Sequence, residues 1–220
     1  MATPLLIIGA GGQALESLWL ARLMNESGSA RWECVGLADD NVPVGTLAGG
    51  VAVLGKPVEI ARRLGRGTAF HVAIGDNRIR LRIAGEMTAL GLEPARLISP
   101  RAEIAPDATV GVGCYISHFV SIGPQARIGA HAIVNVSAVV GHQAVLGDGA
   151  QLCPGAVVNG DCRLGEGVFL GAGAVLPPCL KVGDWARVSA NTFAAAEVEP
   201  GVTVATMPGR PVFKRKRREP

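Results

Sequence analysis

Two periods of hydrophobicity divide the chain. Residues 4–8 form an apolar strand that runs into Gly9, Ala10, Gly11 and Gly12, and a helical run follows from residue 13 to about 26. The pattern then repeats. Residues 32–38 predict a second strand ending in Asp39, Asp40 and Asn41, and residues 56–64 a short helix. Residues 69–74 predict a third strand, and 77–90 a helix with Ile79, Ile83 and Met87 on one face. Strand and helix in alternation predict a small parallel α/β unit. Residues 97–99 could close it, and Pro100, disfavoured within a sheet, marks its end.

Beyond Pro100 the period becomes six. Stepping from Ile104 in sixes, fifteen successive positions through Val188 are Ile, Val or Leu. Neither an α-helix nor a coiled coil stays in phase with that spacing. Gly follows the aliphatic residue at 111, 123, 129, 141, 147, 165, 171 and 183, and Ala stands four positions after it at 126, 132, 138, 144, 150, 156, 174 and 186. An aliphatic and a small residue two apart in a short strand face the same side, and glycine beside them suits a sharp corner. Six-residue repeats mark a β-helix. With three faces per coil, the array makes about five coils stacked at ~4.8 Å, a prism roughly 20 to 25 Å long.

Composition narrows the class. Hydrophobic residues make up 49% of the 220, but no run reaches the roughly 18 needed for a membrane span. Glycine, at 30 of 220, far exceeds its usual share of about 7%, as a fold with systematic corners requires. No basic segment followed by a cleavable apolar stretch opens the chain, which predicts a cytoplasmic protein. Five cysteines without a CxxC pair predict free thiols rather than disulfides or a zinc site. The net charge of +3 owes much to Lys214, Arg215, Lys216, Arg217 and Arg218, a run read as a solvated end or an aid to a polyphosphate ligand. No nucleic-acid partner is expected.

From Leu5 to about Phe213 the chain resembles the bacterial nucleotide-amino-sugar N-acetyltransferases and related sialic acid O-acetyltransferases with hexapeptide repeats. The resemblance implies a left-handed parallel β-helix, although crossovers between parallel strands are ordinarily right-handed, preceded by a small α/β Rossmann-like domain. Residues 1–99 would hold a nucleotide-linked amino sugar, 100–193 form the acyltransferase prism, and 194–220 form a C-terminal segment contacting CoA. Acetyl-CoA as acetyl donor and a homotrimer with CoA between adjacent subunits are implied as well. No metal is expected.

The stretch from Asn135 to His142, NVSAVVGH, resembles the family's segment in which an asparagine precedes the proposed catalytic histidine by seven residues. His142 is therefore expected as the general base and Asn135 as a neighbouring polar group. The family's histidine commonly has acidic neighbours that orient it, whereas here they are Gly141 and Gln143. His118 lies 24 residues earlier, on a different edge, and reads as a solvated corner residue. A sugar amine is protonated near neutrality and must lose a proton to attack, and imidazole, with an unperturbed pKa of about 6.5, is suited to accept it. The developing oxyanion needs a donor, for which the N–H of Gly160, stacked 18 residues above His142, is the candidate. No serine or cysteine has an evident base partner in its repeat, which favours direct attack over an acyl-enzyme.

For CoA, the resemblance points to Gly160, Ala172, Gly173 and Leu176, and to Pro208 and Arg210 in the closing MPGRP segment, where Gly209 stands in place of the usual alanine. In the first domain Gly9, Gly11 and Gly12 could turn amides toward a phosphate at a helix N-terminus. Asp39 and Asp40 stand where such a unit grips a ribose or base. Gln13, where the family often has histidine, and Asn77, beside Gly75, Asp76 and Arg78, complete the expected acceptor set. Sugar or sialic acid O-acetylation is the competing enzyme reading, and a non-catalytic trimeric scaffold the competing structural one. An NAD-dependent enzyme is disfavoured, since about 100 residues are too few for two mononucleotide halves.

Overall fold

The computed structural model describes residues 2–206. Its first part is a six-stranded sheet of β1 (Thr3–Ile8), β2 (Trp32–Ala38), β3 (Leu47–Ala48), β4 (Val51–Gly55), β5 (Ala69–Val72) and β6 (Glu93–Pro94). Across the sheet the order is β3-β4-β2-β1-β5-β6, parallel except for the β3–β4 hairpin at one edge. Helices α1 (Gly12–Ser27), α2 (Pro57–Leu64) and α3 (Asn77–Ala89) connect the strands. The hairpin was not legible in the pattern, because Gly49 and Gly50 at its turn divide two short runs. Leu5 and Ile7 face one apolar cluster and Leu6 and Ile8 the other, the period-two alternation of a strand buried on both sides.

The second part is the left-handed prism. A first face stacks seven two-residue rungs from Leu97–Ile98 to Thr203–Val204, a second face five from Glu103–Ile104 to Val175–Leu176, and a third face five from Thr109–Val110 to Lys181–Val182. Every rung pairs in parallel with the rung 18 residues on, except that Arg187–Val188 pairs with Thr203–Val204 across 16. The six-step aliphatic ladder and its alanines form one continuous interior. Each fully buried Val, Leu or Ile contributes about 1.5–3 kcal/mol.

Two boundaries and the role of the glycines differ from the sequence reading. Residues 97–98 do not close the α/β unit; they pair with Tyr115–Ile116 as the first rung of the prism. Thr203–Val204 is its last rung, so the prism runs well past 193, and Pro208 and Arg210 lie outside the described residues. The glycines that follow the aliphatic ladder are there for close approach rather than turning. A methyl at Gly141 would meet the Gly160 backbone nitrogen at 2.5 Å, and one at Gly147 the Gly165 backbone at 2.5 Å. Turning falls to the residue two further on, which has positive φ at every corner from Gly113 to Asn191 and is more often not glycine, as at Ser137 (57°), Gln143 (59°) and Asp161 (59°). Inter-coil hydrogen bonds hold this strained backbone: the N–H groups of Ser137, Gln143 and Asp161 donate to the carbonyls of His118, Pro124 and His142 one coil below.

The two parts share a buried junction on the first face, where Tyr115 and Ile133 join the cluster beneath α1. The Arg80 side chain is its keystone. Its guanidinium donates to the carbonyls of Ile74, His131 and Gly149 and to Asn77 Oδ1, at 2.7 to 3.0 Å, and is 1% exposed. Burial lowers its pKa to about 10.

Candidate active site

Every parallel α/β sheet leaves an opening at the carboxyl ends of its strands. Here a cavity of about 350 Å³ opens there, lined by Gly9, Asp39, Asp40, Asn41, Ile79 and Arg82 among others. Gly9, with φ 106°, passes so close to β5 that a methyl would lie 2.7 Å from the Ala73 carbonyl oxygen. Gly11 and Gly12 border open space, and α1 begins at Gly12 without a side-chain cap. Its first N–H groups therefore face outward unclaimed by a capping side chain. Gln13 is beside them, its Nε2 buried and without a partner among the described residues.

The two aspartates divide. Asp39 is occupied with the fold: one oxygen accepts from the Ala10 N–H at 2.9 Å and the other from the Asn41 and Val42 N–H groups. It shapes the glycine turn, and Asp40, exposed at the cavity, is the carboxylate left for a ligand. Asn77 departs from the expectation altogether. Its Nδ2 donates to the Gly167 and Val168 carbonyls of the prism and its Oδ1 accepts from Arg80, so the side chain latches α3 to the prism rather than facing the acceptor.

His142 stands at the corner between the second and third faces, with its side chain 60% exposed. Its ring lies over Gly160 in the next coil, where a methyl would come within 2.5 Å of Cε1 and closer still to Nε2. The Gly160 N–H donates to no backbone carbonyl among the described residues. On the other side of the ring Nδ1 is 3.2 Å from Gln143 Oε1 and 3.8 Å from Asp161 Oδ2. The carboxylate that the sequence neighbours lack is thus supplied from one coil away. Its signal was present in the repeat, because residues 18 or 19 apart are spatial neighbours in an 18-residue coil.

Asn135 does not meet His142 within one chain. It sits, 9% exposed, at the corner between the first and second faces, and the whole Val139–Val140 rung separates the two. Ala172 and Gly173 share Asn135's edge, three and two positions before Val175 of the Val175–Leu176 rung, while Gly160 shares the edge of His142. Leu176 is fully buried in the prism interior, so its side chain cannot touch CoA. The six-step ladder already placed it inside. Beside Ala172 a second cavity of about 350 Å³ is lined by Cys153, Phe169, Gly171, Arg187 and Ser189. There the Arg187 guanidinium lies 4.1 Å above the Phe169 ring. Neither Phe169 nor Arg187 stood out in the sequence, although both are outward residues of the first face.

His118 is not the solvated corner residue expected. It is 4% exposed, its Nδ1 shares a 2.7 Å hydrogen bond with Ser99 Oγ, and its ring packs against Trp19 of α1 at 4.4 Å between centroids. Burial lowers its pKa, with Arg101 adding to the effect. No helix among the described residues is long and apolar enough to cross a membrane, and none of their His, Cys, Asp and Glu side chains group in threes to hold a metal ion.

Comparison with known proteins bears out the fold. Residues 4–87 match the PglD N-terminal domain family. Among solved structures, a histidine-to-asparagine variant of perosamine N-acetyltransferase from Caulobacter crescentus, in complex with CoA and GDP-perosamine, superposes with a TM-score of 0.84. It is 27% identical, over 94% of this chain and 95% of that one. The acetyltransferase domain of PglB from Neisseria gonorrhoeae, in complex with acetyl coenzyme A, gives a TM-score of 0.82 and 28% identity over 96% and 100%. WeeI from Acinetobacter baumannii shares the fold, with a TM-score of 0.82 at 23% identity over 94% and 98%. A sequence search of curated proteins finds no match.

Proposed function

We propose that the protein is an acetyl-CoA-dependent N-acetyltransferase acting on the amine of a nucleotide-linked amino sugar, a UDP- or GDP-4-amino-deoxysugar, with His142 as general base. The observation that carries the reading is the His142 ring: Nδ1 faces two acceptors while Nε2 lies over a glycine with an uncommitted N–H. That leaves Nε2 to take the amine proton as the nitrogen attacks the thioester carbonyl, and to return it to the departing sulfur. The Gly160 N–H is the oxyanion donor in this scheme. The solved relatives bound to CoA, acetyl-CoA and GDP-perosamine support the donor and the substrate class.

A homotrimer reconciles the two edges. The outward positions of the second face read Glu103, Ser121, Val139, Val157 and Val175, those of the third Thr109, Arg127, Val145, Arg163 and Lys181. From Val139 to Val175 the second face is thus the apolar one, and the exposed Val136 and Phe119 border it. Three copies packed by that face around a threefold axis bring the first edge of each against the second edge of the next. Asn135, Ala172 and Gly173 of one subunit would then face His142 and Gly160 of its neighbour, with CoA in the groove between. The Phe169–Arg187 cavity opens beside this groove, its apolar wall fitting the pantetheine arm and its guanidinium the phosphates.

The acceptor would enter by the first domain, its diphosphate at Gly11 and Gly12 and its nucleoside at Asp40, with Gln13 toward the sugar. The five free cysteines fit the reducing cytoplasm in which we place the enzyme. O-acetylation remains the rival, because Asp161 supplies the orienting carboxylate that a poorer hydroxyl nucleophile would need. Thiol release measured with UDP- and GDP-linked 4-amino sugars, and separately with free sialic acid, decides between them. Turnover with a nucleotide-linked amine and none with sialic acid is expected; the reverse overturns the proposal. His142→Ala is expected to lower kcat by at least about 100-fold with the assembly intact.

A further inference from the structure

A histidine acts as a base only from a neutral ring whose accepting nitrogen faces the substrate, and the group at its other nitrogen sets the tautomer. At His142 that other nitrogen is Nδ1, and the sequence neighbour facing it, Gln143, offers a neutral amide oxygen at 3.2 Å. An amide side chain is ambiguous. Turned over, it presents its NH₂ group, which pairs equally well with the opposite tautomer. Gln143 alone therefore cannot fix the proton. Asp161 has no such ambiguity, since an ionised carboxylate only accepts. Its Oδ2 is 3.8 Å from Nδ1, and its side chain is 40% exposed.

We propose that Asp161, reaching down from the next coil, is the positioning carboxylate of the His142 base, holding the proton on Nδ1 so that Nε2 stays free. Three features of the corner place it there. The Asp161 N–H donates to the His142 carbonyl at 2.9 Å, which fixes the two residues one above the other. The positive φ of Asp161, 59°, turns its side chain at the same corner as the imidazole. Gly160, having no side chain, leaves the space that the ring fills between them. As the amine proton passes to Nε2 the ring becomes an imidazolium, which the carboxylate stabilises. When that proton leaves with the thiolate, the ring returns to the neutral Nδ1–H form. The proposal rests on His142 being the base, and its test separates the two.

Asp161→Asn preserves size and the left-handed backbone, which asparagine adopts readily, so the prism stays intact. Exposed charge pairs contribute up to about 1 kcal/mol, which corresponds to a roughly fivefold loss of kcat with KM for both substrates unchanged. Adding Gln143→Glu to that variant returns a carboxylate to Nδ1 from the sequence neighbour and is expected to restore kcat. Nitrogen NMR of the imidazole, read on the same proteins, should show the Nδ1–H form in the wild type, a tautomer mixture in Asp161→Asn and recovery in the double variant. If His142→Ala is inactive while Asp161→Asn keeps wild-type kcat and tautomer, the base stands and the Asp161 role is overturned. A double variant no better than Asp161→Asn also overturns it. An active His142→Ala removes the base itself, and the proposal with it.

Discussion

Gly160 is the position at which a single methyl group tests the proposed role of the His142 corner. In Gly160→Ala the new carbon would lie 2.5 Å from His142 Cε1, and every atom it meets within 3 Å belongs to that imidazole rather than to backbone. Ordinary carbon contacts need about 3.5 Å, so the ring must retreat by about 1 Å. Misplacing a catalytic group by that distance costs on the order of 100-fold in rate, about 2.7 kcal/mol of transition-state stabilisation. Because no backbone is displaced, the fold should be unaffected. The assay is steady-state thiol release alongside a melting curve: kcat should fall about 100-fold at unchanged Tm. Gly141→Ala is the contrast, since its methyl would strike the Gly160 backbone nitrogen at 2.5 Å; there activity and Tm should fall together. A Gly160→Ala enzyme within threefold of wild type, with the same Tm, would refute the claim that the imidazole works from where it lies.

Other consequences follow from the junction and the second face. Arg80→Met strands the Ile74, His131 and Gly149 carbonyls that the guanidinium satisfies, so unfolding free energy by denaturant titration should drop by at least about 3 kcal/mol. His71 is fully buried and its pKa is lowered to about 3, chiefly by burial, with His131 and Arg80 adding to it. A depressed histidine binds its proton more readily unfolded, so its stabilising share is complete above about pH 6.5 and is lost as pH falls toward 3; on the order of 2.7 kcal/mol should go between pH 6.5 and 4.5. His71→Leu should flatten the Tm profile over that range, and an unchanged slope would exclude His71 as its source. Val157→Asp puts a charge in the apolar part of the second face, and light scattering should report protomers in place of the proposed trimers, with activity lost.

The prism was legible because its rule is local: each rung buries one aliphatic residue, so Ile104 to Val188 announces the interior directly. That same rule conflicts with the CoA contact expected of Leu176, since a residue on the ladder faces inward. What escaped was everything decided between coils or between domains. Asp161 is silent beside Asp148 or Asp184 until the 18-residue coil sets it against His142. Asn77 and Arg80 look like polar residues at the start of a surface helix, and only the docking of α3 on the prism turns them into a buried latch. His118 looks solvated for the matching reason, because nothing in its own repeat reveals that Trp19 covers it. Asn135 and His142 resemble a catalytic segment, yet they occupy different edges of one chain and would meet only across copies of it in the proposed trimer.

The most direct measurement is a crystal structure of the protein with CoA and a nucleotide-linked amino sugar bound together. The account predicts the sugar nitrogen about 3 Å from His142 Nε2, or one water away, with Asp161 on the far side of the ring. An amine lying beyond about 6 Å from that nitrogen, with no bridging water, would contradict it.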